Sequence, residues 1–91
     1  MMYVVAYDIS DDKTRDRMAN RLLDFGARIQ ESIYELCLDD EGFGRMIQGI
    51  GSIRLADSDK VRIYQVCQRC ADSVQIYGPG ELTRDPDFYL V

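Results

Sequence analysis

Tyr3, Val4, Val5, Ala6 and Tyr7 constrain this chain more than any other stretch. In an extended chain successive side chains point to opposite faces. Tyr3, Val5 and Tyr7 therefore share one face, Val4 and Ala6 share the other, and both faces are apolar. A β-branched and aromatic run of this kind is a central strand covered on both sides, not an edge strand. The run stops at one acid, Asp8. A helix-start signal follows at once, with Ser10 and Asp11 as candidate caps ahead of the polar run Asp12, Lys13, Thr14, Arg15, Asp16, Arg17. Sheets of α/β proteins bind their ligands just outside the carboxyl ends of central strands. Asp8 stands at such a point, where the plainer role is to end the strand or cap the helix.

The spacing predicts a first helix over 11–25, with Met18, Leu22 and Phe25 on one stripe and Ala19 and Leu23 flanking it. Arg17 and Arg21 fall on the opposite side, and Arg15 lies in the first turn near Asp8. Gly26 is expected to end the helix in the left-handed conformation. Residues 28–30 form a short alternating piece, Glu31-Ser32 a tight turn or bulge, and 33–38 a clear strand. Asp39, Asp40 and Glu41 give an acidic start to a second helix over 41–54, carrying Phe43, Met46, Ile47, Ile50 and Ile53 at helical spacing. Glycines at 42, 44, 49 and 51 each weaken it by up to ~1 kcal/mol relative to Ala, so packing must hold it or it frays near 49–51. Ser58-Asp59 turns the chain into a strand over 60–66, with Val61 and Ile63 on one face. A last short strand is expected over 73–77, followed by Gly78-Pro79-Gly80 and a tail that closes on Phe88, Tyr89, Leu90 and Val91.

The order strand, helix, strand, strand, helix, strand is the α+β, ferredoxin-like βαββαβ arrangement, here with an extra C-terminal strand and tail. The domain is expected over 1–78, with 79–91 a tail that packs on a partner subunit. Right-handed crossovers place both helices on one face of the sheet. The face of Val4 and Ala6 is then bare, and a second copy of the chain is the cover that fits best, making a homodimer. A chain of 91 residues gains from such association, because a small core supplies little stabilising area.

No run approaches the ~18 apolar residues of a membrane span, and no basic segment precedes an apolar core at the start, which points to the cytoplasm and no membrane. The net charge of −5 weighs against nucleic acid, although a local arginine cluster can act against the mean. Three cysteines and no histidine narrow the metal chemistry. Cys67-Gln68-Arg69-Cys70 has zinc or redox spacing, but a structural zinc site takes four ligands and only Cys37 is left to join. The pair reads as turn cysteines, with reversible disulfide formation as the alternative.

The strand ending Tyr7-Asp8-Ile9-Ser10-Asp11-Asp12, the following Arg15-x-Arg17, the Phe25-Gly26 helix end, Arg28-Ile29-Gln30-x-Ser32-Ile33-Tyr34-Glu35 and the later Asp59-x-Val61-Arg62-Ile63-Tyr64 together resemble one family. It is the small CRISPR-associated adaptation endonuclease family (Cas-two), and the resemblance runs from about residue 3 to 77. It implies a ferredoxin-like homodimer in which two symmetry-related aspartates face each other. The family's metal-binding acid falls on Asp8 and the aromatic before it on Tyr7. Its helix-one arginines fall on Arg15 and Arg17, its strand-two arginine on Arg28, and an aromatic that is often phenylalanine on Tyr34.

On that resemblance the expected activity is Mg²⁺-dependent hydrolysis of phosphodiester bonds in RNA or DNA, with Asp8 as catalytic and metal-binding residue. Tyr7, Arg15, Arg17, Arg28 and Tyr34 are the expected nucleic-acid contacts. Magnesium accepts one or two carboxylates with waters and substrate oxygens, and a two-fold dimer supplies two Asp8 side chains. The alternative is a non-catalytic DNA-binding dimer that scaffolds a CRISPR integrase subunit during spacer acquisition, in which the arginines matter and Asp8 does not. A toxin-like ribonuclease or a small-ligand regulatory domain of the same fold are the further readings. The cysteine count yields a direct test. Protein purified without chelator should carry no stoichiometric zinc by elemental analysis, and one zinc per chain would overturn the reading of the cysteine pair.

Overall fold

In a computed structural model of the protein, which describes residues 1–78, the first strand β1 (Met2–Asp8) is hydrogen-bonded on both sides. On one side lies β3 (Ile33–Cys37), antiparallel, with Val5 opposite Tyr34. On the other lies β4 (Lys60–Val66), also antiparallel, with Val5 opposite Ile63 and Asp8 opposite Lys60. The short β2 (Ala27–Gln30) pairs with the outer side of β3, so the sheet runs β2-β3-β1-β4. This is the ferredoxin-like order, and β1 is central as its doubly apolar sequence requires.

Each long helix is started by an aspartate. Asp11 caps α1 (Asp12–Leu23), its carboxylate accepting from the Thr14 backbone N–H and the Thr14 hydroxyl, both at 2.9 Å. The backbone N–H first, and the hydroxyl second, hold its pKa below the ordinary 3.8. The cap is therefore fully effective above that value and is lost as pH falls through the lower folded-state value. Asp39 caps α2 (Asp40–Gly51) by accepting from the Gly42 N–H at 2.7 Å.

Tyr3, Val5 and Tyr7 bury their face of β1 in one core with Met18 and Leu22 of α1, Met46 of α2, and Tyr34 and Leu36 of β3. Phe43 stacks on Tyr3 with ring centroids 4.6 Å apart. Full burial of such side chains is worth about 1.5–3 kcal/mol each. Ile53, two residues beyond α2, also reaches the core, whereas Leu23 and Ile47 stay exposed at the margins of their helices. On the opposite face of the sheet Val4 and Ala6 are half-buried and Tyr64 is exposed.

Four local expectations are corrected. Gly26 does not adopt the left-handed conformation, since Gly78 (φ 97°) is the one described glycine with positive φ. Gly26 is needed for closeness instead: a Cβ there would fall on the Glu35 carbonyl oxygen and the Leu36 side chain, and 2.9 Å from the Leu36 Cα. The second helix, expected over 41–54, is held through its glycines but ends at Gly51, where the Ser52 hydroxyl donates to the Gly49 carbonyl at 2.7 Å. No strand forms over 73–77. The Ser73 hydroxyl and N–H both donate to the Cys70 carbonyl, closing a turn, and Val74 and Ile76 are exposed with no strand beside them among the described residues. Finally, a short helix α3 (Gln68–Asp72) takes up most of the cysteine motif. The expected tail over 79–91 lies outside the described residues, among which no helix is long and apolar enough to cross a membrane.

Two glycine substitutions test this packing. Gly26→Ala should destabilise the fold by roughly 2 kcal/mol, because backbone and not only a flexible side-chain end must give way. Gly44→Ala, where a Cβ meets nothing within 4 Å on α2, should stabilise it by up to about 1 kcal/mol. Urea midpoints moving in opposite directions are the expected readout.

Candidate functional site

The carboxyl end of β1 is pinned by the β2–β3 turn. The Tyr7 N–H donates to the Ser32 carbonyl at 3.1 Å, and the Tyr7 hydroxyl donates to the Glu31 carbonyl at 3.1 Å. Arg28 donates to that same Glu31 carbonyl through Nε at 3.2 Å and Nη2 at 2.8 Å. One backbone oxygen therefore collects three donors from two strands. Beneath it the Tyr7 and Tyr34 rings stack at 6.1 Å, and the Arg28 guanidinium sits 5.8 Å from the Tyr34 centroid, within cation–π range.

These contacts form one wall of a cleft of about 460 Å³. Asp8 and Arg28 line it from the strands, Glu31 from the β2–β3 turn, and Arg15 and Asp16 from α1. Asp8 is exposed, and its carboxylate accepts no hydrogen bond among the described residues. Arg15 pairs with the Asp12 carboxylate and donates to the Ile9 carbonyl at 3.4 Å, which holds its side chain along the strand end. Arg17 is exposed but does not line the cleft. At about 100° per residue it points nearly away from Arg15 around α1.

The two tyrosines differ in what they offer. Tyr7 is buried and reaches the cleft with part of its surface. Tyr34 is fully buried, and its hydroxyl has no hydrogen-bond partner. Burial first, and the neighbouring Tyr7 second, push the Tyr34 phenol up to about 12, so it stays neutral. It packs under Arg28 and has no surface to present to a nucleic acid.

The chain matches the family described as CRISPR associated protein Cas2 over residues 1–74. It belongs to the Cas2 family. A CRISPR-associated endoribonuclease Cas2 from Synechocystis is 33% identical over 90 residues, covering 99% of this chain and 98% of its own length. A hypothetical protein from Thermus thermophilus, solved by crystallography, superposes with a TM-score of 0.75 at 34% identity, covering 89% of this chain and 94% of its own. A chain from a partial Cas6-RT-Cas1–Cas2 complex shares the fold, with a TM-score of 0.58 at 18% identity over 82% of this chain and 88% of its own.

Within this Cas2-family site, three contributors escaped the sequence reading. Asp16 lines the cleft one turn after Asp12, a spacing visible in the sequence but unremarkable on a polar helix face. Glu31 acts through its backbone carbonyl, which no side-chain pattern reports. Asp59 accepts from the Ser10 N–H at 3.3 Å and the Ala56 N–H at 2.9 Å, tying the loop after β1 to the turn before β4. Its signal was the Ser58-Asp59 pair, since aspartate in a turn often accepts from nearby backbone.

Among the described residues no three histidine, cysteine, aspartate or glutamate side chains gather as a metal site. The cleft nonetheless suits a hard cation, because Asp8 is an exposed carboxylate free of partners and Mg²⁺ commonly takes only one or two carboxylates. The lone Tyr34 hydroxyl supplies the test of the wall. Tyr34→Phe keeps the ring and removes an unpaired buried hydroxyl, so stability should be unchanged or higher by about 1 kcal/mol. Tyr34→Ala should lose about 3–5 kcal/mol. A marked loss in the phenylalanine variant, seen by urea unfolding, would mean that the hydroxyl has a partner.

Proposed function

We propose that this Cas2-family chain is a Mg²⁺-dependent endonuclease of the CRISPR adaptation machinery, acting on RNA or DNA through Asp8 of two subunits in a cytoplasmic homodimer. The observation that carries the reading is the unpartnered Asp8 carboxylate in a cleft shared with the Arg15 and Arg28 guanidiniums. The endoribonuclease name of the Synechocystis relative supports phosphodiester chemistry.

Charge supports the need for a cation. Three carboxylates, Asp8, Asp16 and Glu31, face two guanidiniums in the cleft, so the cleft alone repels a phosphodiester. Asp8 would hold Mg²⁺, which when bound reverses that sign, polarises a phosphoryl oxygen and lowers the pKa of a bound water. Arg28 is held in place by the Glu31 carbonyl and the Tyr34 ring and keeps N–H groups for phosphate. Arg15 is tethered to Asp12 and Ile9 and adds positive charge along the opposite wall.

The dimer is supported by the open face of the sheet. Strand alternation places Asp8 on the same side of β1 as half-buried Val4 and Ala6, and exposed Tyr64 lies across from Val4 on β4. A second copy seated there covers these side chains and brings a second Asp8 to the site. Family membership supports a CRISPR integrase subunit as a further partner.

A second reading is favoured by the sparse ligand set, for the chain has no histidine and a single subunit gathers no three-ligand group among its described residues. In that reading the dimer binds DNA and scaffolds the integrase without cleaving. Asp8→Asn separates the two. For the nuclease it should abolish Mg²⁺-dependent cleavage while leaving nucleic-acid binding and a sedimenting mass of twice the monomer; for the scaffold it should leave spacer integration intact in a reconstituted system. Arg15→Ala with Arg28→Ala should weaken binding to all sequences alike and reduce the salt dependence by about one unit of slope per lost phosphate contact. Cleavage that persists in highly purified Asp8→Asn protein would remove Asp8 from the mechanism, and a stable monomer at micromolar concentration would remove the dimer.

A further inference from the structure

Val66 ends β4, and the next residue, Cys67, leads directly into α3, whose first turn carries Cys70. The Cys67 and Cys70 sulfurs lie 3.3 Å apart, both side chains are exposed, and neither is in a disulfide. A disulfide bond is about 2.05 Å long, so the sulfurs need to close by little more than 1 Å, which side-chain rotation can supply. The third cysteine, Cys37, is half-buried on β3 and is not part of this pair.

The two thiols are not equivalent. Ionisation is favoured at Cys67, where the Cys70 backbone N–H and then the Cys70 side chain stabilise the thiolate. It is disfavoured at Cys70, because the hydrogen bond shared with the Cys67 side chain favours its protonated form and a second negative charge would form beside the Cys67 sulfur. A pair made of one readily formed thiolate and one retained proton is the arrangement that thiol–disulfide exchange uses, with one sulfur attacking and the other resolving. No part of the Asp8 cleft requires either cysteine.

We propose that Cys67 and Cys70 form a reversible oxidation site that exchanges with low-molecular-weight disulfides and closes the exit of β4 when oxidised. The Cys67 thiolate attacks one sulfur of the small disulfide, forming a mixed disulfide and releasing one small thiolate. Cys70 then loses its proton and attacks the Cys67 sulfur, forming the Cys67–Cys70 bond and releasing the second small thiolate. Two electrons pass from the protein to the small disulfide, which becomes two thiols once protons are taken up. The ring so formed spans the first turn of α3, through which the chain leaves the sheet.

The full-length protein treated with oxidised glutathione tests this. Denatured and alkylated with iodoacetamide, the reduced protein should take three adducts, one per cysteine, and the oxidised protein one, at Cys37. The non-reducing intact mass should remain that of one chain. Trypsin, cutting after Arg69, should then release the two flanking peptides joined by a bond that dithiothreitol breaks. Cys70→Ser should accumulate a glutathione adduct at Cys67, and Cys67→Ser should acquire its adduct at Cys70 more slowly. Three adducts after oxidation, a chain-to-chain disulfide, a linkage to Cys37 or equal adduct rates in the two serine variants would overturn the proposal.

Discussion

Tyr3, Val5 and Tyr7 bury one face of the central strand against two helices, and a strand held in that way cannot slip by one residue without turning its other face inward. That constraint sets the register of the whole sheet. It places Val5 between Tyr34 and Ile63, and it places Asp8 at the strand end opposite Lys60. Tyr7 belongs at once to the core and to the cleft, since its ring packs on Tyr34 while its hydroxyl and N–H hold the Glu31-Ser32 turn. The site is thus positioned by hydrophobic burial one residue away from the acid, and no bond to Asp8 itself is required.

The same wall shows where stability has been given up. A buried hydroxyl without a partner costs about 1–3 kcal/mol, and Tyr34, whose ring lies under Arg28, carries one. The ring supplies what a phenylalanine would: a flat, electron-rich surface beneath a guanidinium. Arg28 is held by that surface and by one carbonyl, so the charge is oriented without the carboxylate that would neutralise it. Arg15, by contrast, is already paired with Asp12, and its charge reaches the cleft partly offset.

Much of this was readable from local pattern. The doubly apolar strand, the Asp11 cap, the acidic start of α2 and the βαββαβ order each follow from short-range pattern, and the Cas2 resemblance pointed to Asp8 and Arg28, both of which line the cleft. What stayed hidden depends on contacts between distant segments. Gly26 is explained by the approach of β3, not by its own backbone angles, so a helix-end glycine looked like a left-handed cap. Arg15 and Arg17 looked alike as members of one motif, yet two residues of helix separate them by about 200°, and only Arg15 lines the cleft. The apolar alternation over 73–77 resembled a strand, but alternation needs a neighbouring edge to become one, and the turn closed by Ser73 leads the chain away.

The edge strand that carries Arg28 has a further consequence. All four residues of β2 are exposed, it pairs on one side only, and its register slips between Arg28 and Gln30. Opening free energies in a folded protein range from near zero at such margins to the global value in the core. β2 can therefore detach while β1, β3 and β4 remain assembled, so that its amide hydrogens exchange with solvent ahead of those on the central strands. The wall of the cleft that is free to part from the rest is the one bearing Arg28, so the width of the cleft is set by a local equilibrium at the sheet's margin, not by the stability of the fold.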